Sequence, residues 1–291
     1  MKVLLTGGTG LVGRGVLKAL VAHGHEVTAL VRSDASAATV AQAGATPLLG
    51  DITDVAWLTG QLRQVDGAVH AATTGEGDAV AFDRGVASAA AEAFAGTGKP
   101  YVHTGGAWVW GQGADVREDQ PFDAPQITAW RADVEKVALT IDGARGTVVA
   151  PGIVYGYGTG IPQVLVQGPV VDGALTLVGD GSQHWTTVHS DDLGELYVRV
   201  LEDGAAGDYY IGASGQNPTV RELGEAAARG RGLSGAVVAE PVEASRERLG
   251  AAFADALLLD QQTSAAKSKA LGWTPAGPSL VDELASGSYA S

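Results

Sequence analysis

The feature that most restricts how this chain can fold lies at its start. There Lys2-Val3-Leu4-Leu5-Thr6 runs directly into Gly7-Gly8-Thr9-Gly10-Leu11-Val12-Gly13. A short apolar strand, a glycine turn and a helix over residues 11–23 are predicted in that order. The glycines stand at 7, 10 and 13, a GxxGxxG spacing. Gly7 permits the tight turn, Gly10 lets the backbone approach a pyrophosphate, and Gly13 lets the helix pack close to the strand. Amide N–H groups at the helix N-terminus then face an anion. A bare glycine pattern is weak evidence, but one set between a strand and a helix predicts dinucleotide binding.

The N-terminal half continues in the same style. Glu26-Val27-Thr28-Ala29-Leu30-Val31 reads as a second strand, and short apolar runs follow at 45–49, 67–71, 100–104 and 146–150. Alanine-rich, helix-like stretches separate them. Strands alternating with helices predict a parallel sheet covered on both faces, and right-handed crossovers make it an α/β, doubly wound Rossmann fold. At 291 residues the chain has room for that domain and a smaller C-terminal substrate lobe. Residues 1–150, with 186–201 returning to the sheet, are expected to form the nucleotide domain. Residues 151–185 and 202–291 are expected to form the substrate-binding lobe, with a substrate between the two, beside the carboxyl ends of the strands. The Ala/Gly-rich stretch 204–235 is broken by apolar periodicity and reads as folded.

Charge narrows the class of partner. Thirty-three Asp and Glu against nineteen Lys and Arg give a net charge of −14, which argues against a nucleic-acid or anionic-membrane surface. With no cysteine there is no disulfide and no thiolate metal site. No apolar run reaches the roughly 18 residues of a membrane span. The expectation is a soluble cytoplasmic protein, monomer or homodimer, acting on a small molecule.

Further motifs carry a family resemblance. Gly50-Asp51-Ile52, His70-Ala71-Ala72, Ala150-Pro151-Gly152-Ile153-Val154-Tyr155-Gly156, Val188-His189-Ser190-Asp191-Asp192-Leu193 and Leu271-Gly272-Trp273-Thr274-Pro275 follow the glycine loop in order. Over nearly its whole length the chain resembles an extended or atypical short-chain dehydrogenase/reductase of the NAD-dependent epimerase/dehydratase type. The resemblance implies a cofactor groove lined by Gly7, Thr9, Gly10, Leu11, Val12, Gly13, Arg32, Ser33, Asp51, Ile52, Ala71, Ala72, Thr73, Thr104, Arg131, Pro151, Ile153 and Val154. An NAD-binding member carries an Asp or Glu about 20 residues past the glycine loop. Here that slot holds Arg32, whose forked donors suit a 2′-phosphate, so NADP(H) is the expected cofactor.

The family's reaction uses a Ser or Thr at the fifth strand end and a Tyr-x-x-x-Lys on the next helix. Aligned with that pattern, Gly106 stands at the serine position, and Thr104 keeps a hydroxyl two residues earlier on the same side of the strand. In the helix predicted over 127–135, Ile127 takes the tyrosine position and Arg131 the lysine position. A second register puts Trp130 and Val134 there, and neither restores Tyr-x-x-x-Lys. Isoleucine has no proton to give, and arginine stays charged because its pKa lies above about 12. Arg131 can still anchor the nicotinamide ribose. A positioned acid typically contributes about 10²–10⁴ in rate, so another proton source is required or the reaction does not need one.

Around this vacancy the expected substrate-facing residues are Gly106, Trp108, Trp110, Ile127, Tyr155, Tyr157, His184 and Trp185. Tyr155 and His184 are the best remaining acids, with Tyr155 the leading candidate. Trp185 replaces the arginine with which the family's nucleotide-sugar members grip a pyrophosphate. Aromatic side chains with few charges fit a small apolar or aromatic substrate. His189 with Asp192 resembles a metal or acid–base pair but reads as a strand end leading into a helix, with Ser190 and Asp191 as N-cap. No metal site is expected, and His23 and His25 read as solvated. The leading expectation is an NADPH-dependent reductase of a carbonyl, enone or imine with a non-standard proton source. The alternatives are a lyase, isomerase or cyclase on the same scaffold, or a non-catalytic NADP(H) sensor.

Overall fold

The computed structural model describes residues 1–74 and 78–290. In the first half, strand and helix alternate: β1 (Lys2–Thr6), α1 (Leu11–Ala22), β2 (Glu26–Val31), α2 (Asp34–Gln42), β3 (Thr46–Leu49), α3 (Val55–Leu62), β4 (Gly67–His70), α4 (Ala79–Phe94), β5 (Pro100–Thr104), α5 (Arg131–Leu139) and β6 (Arg145–Pro151). Then come β7 (Ile153–Tyr155), α6 (Gln163–Val166), β8 (Val170–Val171), β9 (Ala174–Thr176), β10 (Thr187–His189), α7 (Ser190–Asp203) and β11 (Tyr209–Gly212). The chain closes with α8 (Val220–Gly230), β12 (Val237–Val238), α9 (Val242–Leu249), α10 (Ala251–Leu257), α11 (Ala266–Ala270) and α12 (Leu280–Ser286).

Seven strands form one parallel sheet in the order β11-β6-β5-β4-β1-β2-β3. Successive side chains of a strand point to opposite faces, and both faces here are apolar. Val3 and Leu5 enter the core shared with α1 and α7, while Leu4 enters the one shared with α3, α4 and α5. Burying a leucine fully is worth about 1.5–3 kcal/mol, so β1 is held from both sides. A third core, built on Ile153, Leu165, Leu175, Leu223 and Leu284, belongs to the smaller lobe.

Two expectations about the lobes are corrected. The strand near Thr186 does not rejoin the large sheet: β10 pairs with β7 in a separate two-stranded sheet. Instead β11, expected in the substrate lobe, pairs in parallel with β6 and becomes the sheet's edge. Glu118 caps that edge, its Oε1 accepting a 2.8 Å bond from the Ile211 N–H. The 204–235 stretch is folded, and α8 opens with a full capping box between Thr219 and Glu222. His23 pairs with Glu195 and His25 with Glu202, and the His25 side chain is only 5% exposed, so His25 is not solvated.

Candidate active site

Because the sheet is parallel, the carboxyl ends of β1 to β6 share one edge, and the expected groove residues fall along it. The tightest point is the turn after β1. Gly7 has φ +76°, and a Cβ on it would sit 2.5 Å from the Ala71 carbonyl and the Ala72 nitrogen. A Cβ on Gly13 would lie 2.0 Å from the Gly7 oxygen. Only bare backbone fits here, and helix α1 is drawn against the ends of β1 and β4. Thr9 and Gly10 are exposed above it, and Leu11 and Val12 open the helix half-buried. This cradle is the shape that a pyrophosphate at a helix N-terminus needs, so the residues present fit a dinucleotide.

The other groove residues follow strand by strand. Arg32 and Ser33 are exposed at the end of β2, where Ser33 caps α2 through Ser36. Beyond β3, the exposed Asp51 accepts from the Thr53 amide and hydroxyl at 2.8 and 2.7 Å, which hold its carboxyl below the usual range, and Ile52 is buried beside it. Ala71 and Ala72 are half-buried after β4, with Thr73 exposed. Pro151 ends β6, and Ile153 and Val154 begin β7.

At the end of β5 the geometry is less expected. Helix α5 starts at Arg131, so Ile127 lies in the preceding turn and is 37% exposed. The Arg131 guanidinium donates to the Thr104 carbonyl at 3.3 Å and stacks 4.8 Å from the centre of the Trp130 ring. Its Nε is 3.9 Å from where a Cβ on Gly106 would be. Arg131 therefore faces the strand end, whereas Val134 is fully buried. The Thr104 hydroxyl is 2.6 Å from both the His70 carbonyl and the Tyr197 hydroxyl. Its single proton is committed to the carbonyl, so the expected donation to a substrate oxygen is not available.

Several other expectations are also corrected. Tyr155 is 2% exposed in the small-lobe core, and its hydroxyl donates to the Pro278 carbonyl at 2.7 Å. Burial, with Asp192 and Glu283 nearby, pushes its pKa well up, and the burial and the bond to Pro278 place Tyr155 as packing in the core. Trp185, 2% exposed, is also core, its indole donating to the Leu257 carbonyl at 2.9 Å. Trp110 is buried edge-on against Phe122 and Tyr209, not lining a cleft. Trp108 is half-buried against Phe253. His184 is held by Asp260, which accepts from its backbone N–H at 2.9 Å and lies 2.8 Å from its ring nitrogen. Tyr157 lies by α1, with its ring under Arg14.

The N-cap of α7 is His189, whose Nδ1 accepts from the Asp191 N–H at 3.2 Å, not Ser190 or Asp191 as expected. Asp192 fastens the 271–277 segment, accepting from the amides of Ala276 and Gly277. Among the described residues, no group of three or more His, Asp or Glu side chains is placed to hold a metal. Likewise among them, no helix is long and apolar enough to cross a membrane.

Sequence reasoning missed Glu135. One turn beyond Arg131, it is fully buried, its Oε2 accepting from the Tyr209 hydroxyl at 3.0 Å while Oε1 has no partner. Burial raises its pKa to about 7, against the opposing pull of Arg131. Glutamate on a helix reads as surface, and no signal in the sequence marks this one as interior.

The chain has a doubly wound Rossmann-type fold, and its glycine cradle has the shape that a dinucleotide needs. Comparison with known proteins agrees: residues 7–105 match the family described as NAD(P)H-binding. An uncharacterised protein of Schizosaccharomyces pombe is 28% identical over 99% of this chain and 100% of its own. The 2-alkyl-3-oxoalkanoate reductase of Stenotrophomonas maltophilia is 29% identical, covering 77% of this chain and 73% of its own. Among solved structures, the human epimerase family protein SDR39U1 with NADPH superposes with a TM-score of 0.76 at 22% identity, covering 99% of each chain.

Proposed function

We propose that the protein is an NADPH-dependent reductase of a small apolar carbonyl compound or its enone or imine relatives. The observation that carries this reading is Arg131, fixed at the end of β5 between the Thr104 carbonyl and Gly106. In that place a guanidinium anchors the nicotinamide ribose, and the glycine at 106 leaves room for a substrate. Arg32 at the end of β2 favours the 2′-phosphate of NADP(H). The reductase name of the Stenotrophomonas relative supports the reaction class, and the NADPH of the human structure supports the cofactor.

When bound, the cofactor supplies hydride to the electrophilic carbon. The chain's own part is to hold the ribose through Arg131 and to keep the β5 end rigid through Thr104 and Tyr197. Arg131 cannot give up a proton, and Tyr155 and Thr104 have theirs committed to carbonyls. The proton therefore comes from water admitted to the cleft or arrives with the substrate, as a protonated imine does. Tyr155→Phe should accordingly leave kcat within about twofold, because the acid contribution of about 10²–10⁴ is not made there.

The test is NADPH oxidation across a panel of apolar ketones, enones and imines, with UDP-glucose and dTDP-glucose included. Turnover of at least one panel member, with none of the nucleotide sugars, is expected. Failure on the whole panel, or epimerase or dehydratase activity on either sugar, overturns the reading.

A further inference from the structure

Arg14 occupies the first turn of α1, immediately after the glycine cradle. Helical side chains lean toward the helix N-terminus, so its guanidinium is carried back toward the end where the free amides lie. Among the described residues it pairs with no carboxylate, and it lies 4.3 Å from the centre of the Tyr157 ring, over its face. Lys18, one turn further along, is neutralised by Asp191 at 2.5 Å.

The seat itself is built under constraint. Tyr157 has φ +56°, a left-handed conformation that costs a non-glycine residue about 1–3 kcal/mol and persists only where its surroundings impose it. They do so from three sides. The Tyr157 hydroxyl donates to Asp191 at the start of α7. The Gly156 amide donates to the Tyr289 hydroxyl at 3.0 Å, and the Gly158 amide to the Ser288 hydroxyl at 2.8 Å. The loop then passes Leu11 so closely that a Cβ on Gly160 would lie 2.8 Å from its Cδ2. The small lobe thus delivers one exposed ring to the mouth of the glycine cradle, and that ring carries Arg14.

We infer that Arg14 is a dinucleotide-binding residue that acts on the phosphates common to NAD(H) and NADP(H), and that Tyr157 is the residue that positions it. Stacking fixes the guanidinium plane while leaving its N–H edges free for an anion. This rests on the dinucleotide-binding part of the reading above and adds a ligand to it. Arg32, at the other end of the groove, acts only on the 2′-phosphate.

The experiment is calorimetric or fluorescence titration of NADPH and NADH into the wild type, Arg14→Ala, Tyr157→Leu and Arg32→Ala, with thermal midpoints as the folding control. Arg14→Ala should weaken both cofactors by an equal factor of about ten or more, the scale of a charge-assisted bond. Tyr157→Leu should weaken both by roughly threefold, about the cation–π contribution at an exposed site. Arg32→Ala should affect NADPH alone. Unchanged affinity in folded Arg14→Ala, or a loss confined to NADPH, overturns the inference. A wild type that binds neither cofactor instead overturns the dinucleotide reading itself.

Discussion

The two ends of the cofactor groove are built from different materials. Around β1 and α1 the working parts are backbone: Gly7 and Gly13 are excluded from carrying a Cβ by contacts of 2.5 and 2.0 Å, and the anion would meet amides. Around β5 and α5 the proposed working parts are side chains, and there the resemblance sets Gly106, Ile127 and Arg131 against the family's Ser, Tyr and Lys. A backbone site tolerates no substitution at its glycines, because any Cβ breaks the packing. A side-chain site can change identity while the fold stays whole, so binding and chemistry part company along one sheet edge.

The sharpest way to break this contrast is at the first end. Gly13→Ala puts a methyl group into the Gly7 carbonyl, and overpacking of that kind costs about 1–3 kcal/mol or more. NADPH affinity measured by titration should fall by about a hundredfold, the upper end of that range. Normal binding would mean that the cradle is not the binding site. At the other end, Arg131→Ala should weaken NADPH binding by about 1.5–3 kcal/mol, the scale of a hydrogen bond to a charged group. Wild-type affinity there would return Trp130 to consideration at the tyrosine position.

Glu135 separates the stability of this end from its binding. Its pKa is raised in the folded state to about 7 from an ordinary value of 4.5, so folding disfavours its ionised form. Its cost is absent below pH 4.5, grows as pH rises to about 7, and is constant above. Glu135→Gln should remove that slope and gain about 3 kcal/mol at pH 8, read from urea midpoints across pH. Parallel pH profiles for the two proteins would show that the buried carboxyl does not titrate in this window.

Smaller effects refine the picture. Arg32→Ala should reduce the preference for NADPH over NADH by about tenfold, a shift of about 1.4 kcal/mol for one exposed charge-assisted contact. Equal affinities in the wild type would dispose of the NADP(H) assignment. Tyr155→Phe removes one buried hydrogen bond and should cost stability of about 0.5–1.5 kcal/mol, visible as a lower thermal midpoint. A fall in kcat by a factor of about 10² in that variant would restore the tyrosine as an acid.

Much of the first half was legible in the chain. Strands over 26–31 and 100–104 lie on the predicted runs, because a parallel strand buried on both faces keeps mostly apolar side chains. The glycine cradle was legible for a related reason: turn, close approach and helix packing each exclude every residue but one. The aromatic residues were not. Trp108, Trp110, Tyr155 and Trp185 have the same composition whether they face a substrate or a core, and three of the four proved to be core.

By itself, then, the sequence determined the periodic and the steric: an α/β order of elements, a dinucleotide turn, an arginine where an acid is usual. Tertiary structure alone decided that β11 and not β10 closes the sheet, since pairing partners far apart in the chain leave no local mark. It also decided where each proton sits. Tyr155 spends its proton on Pro278 and Thr104 on His70, while Glu135 retains its proton at a higher pH than usual, buried beneath the strand end. The physical reason is common to all of these. Burial and hydrogen-bond partners belong to three-dimensional neighbours, and a side chain's chemistry follows its neighbours more than its name.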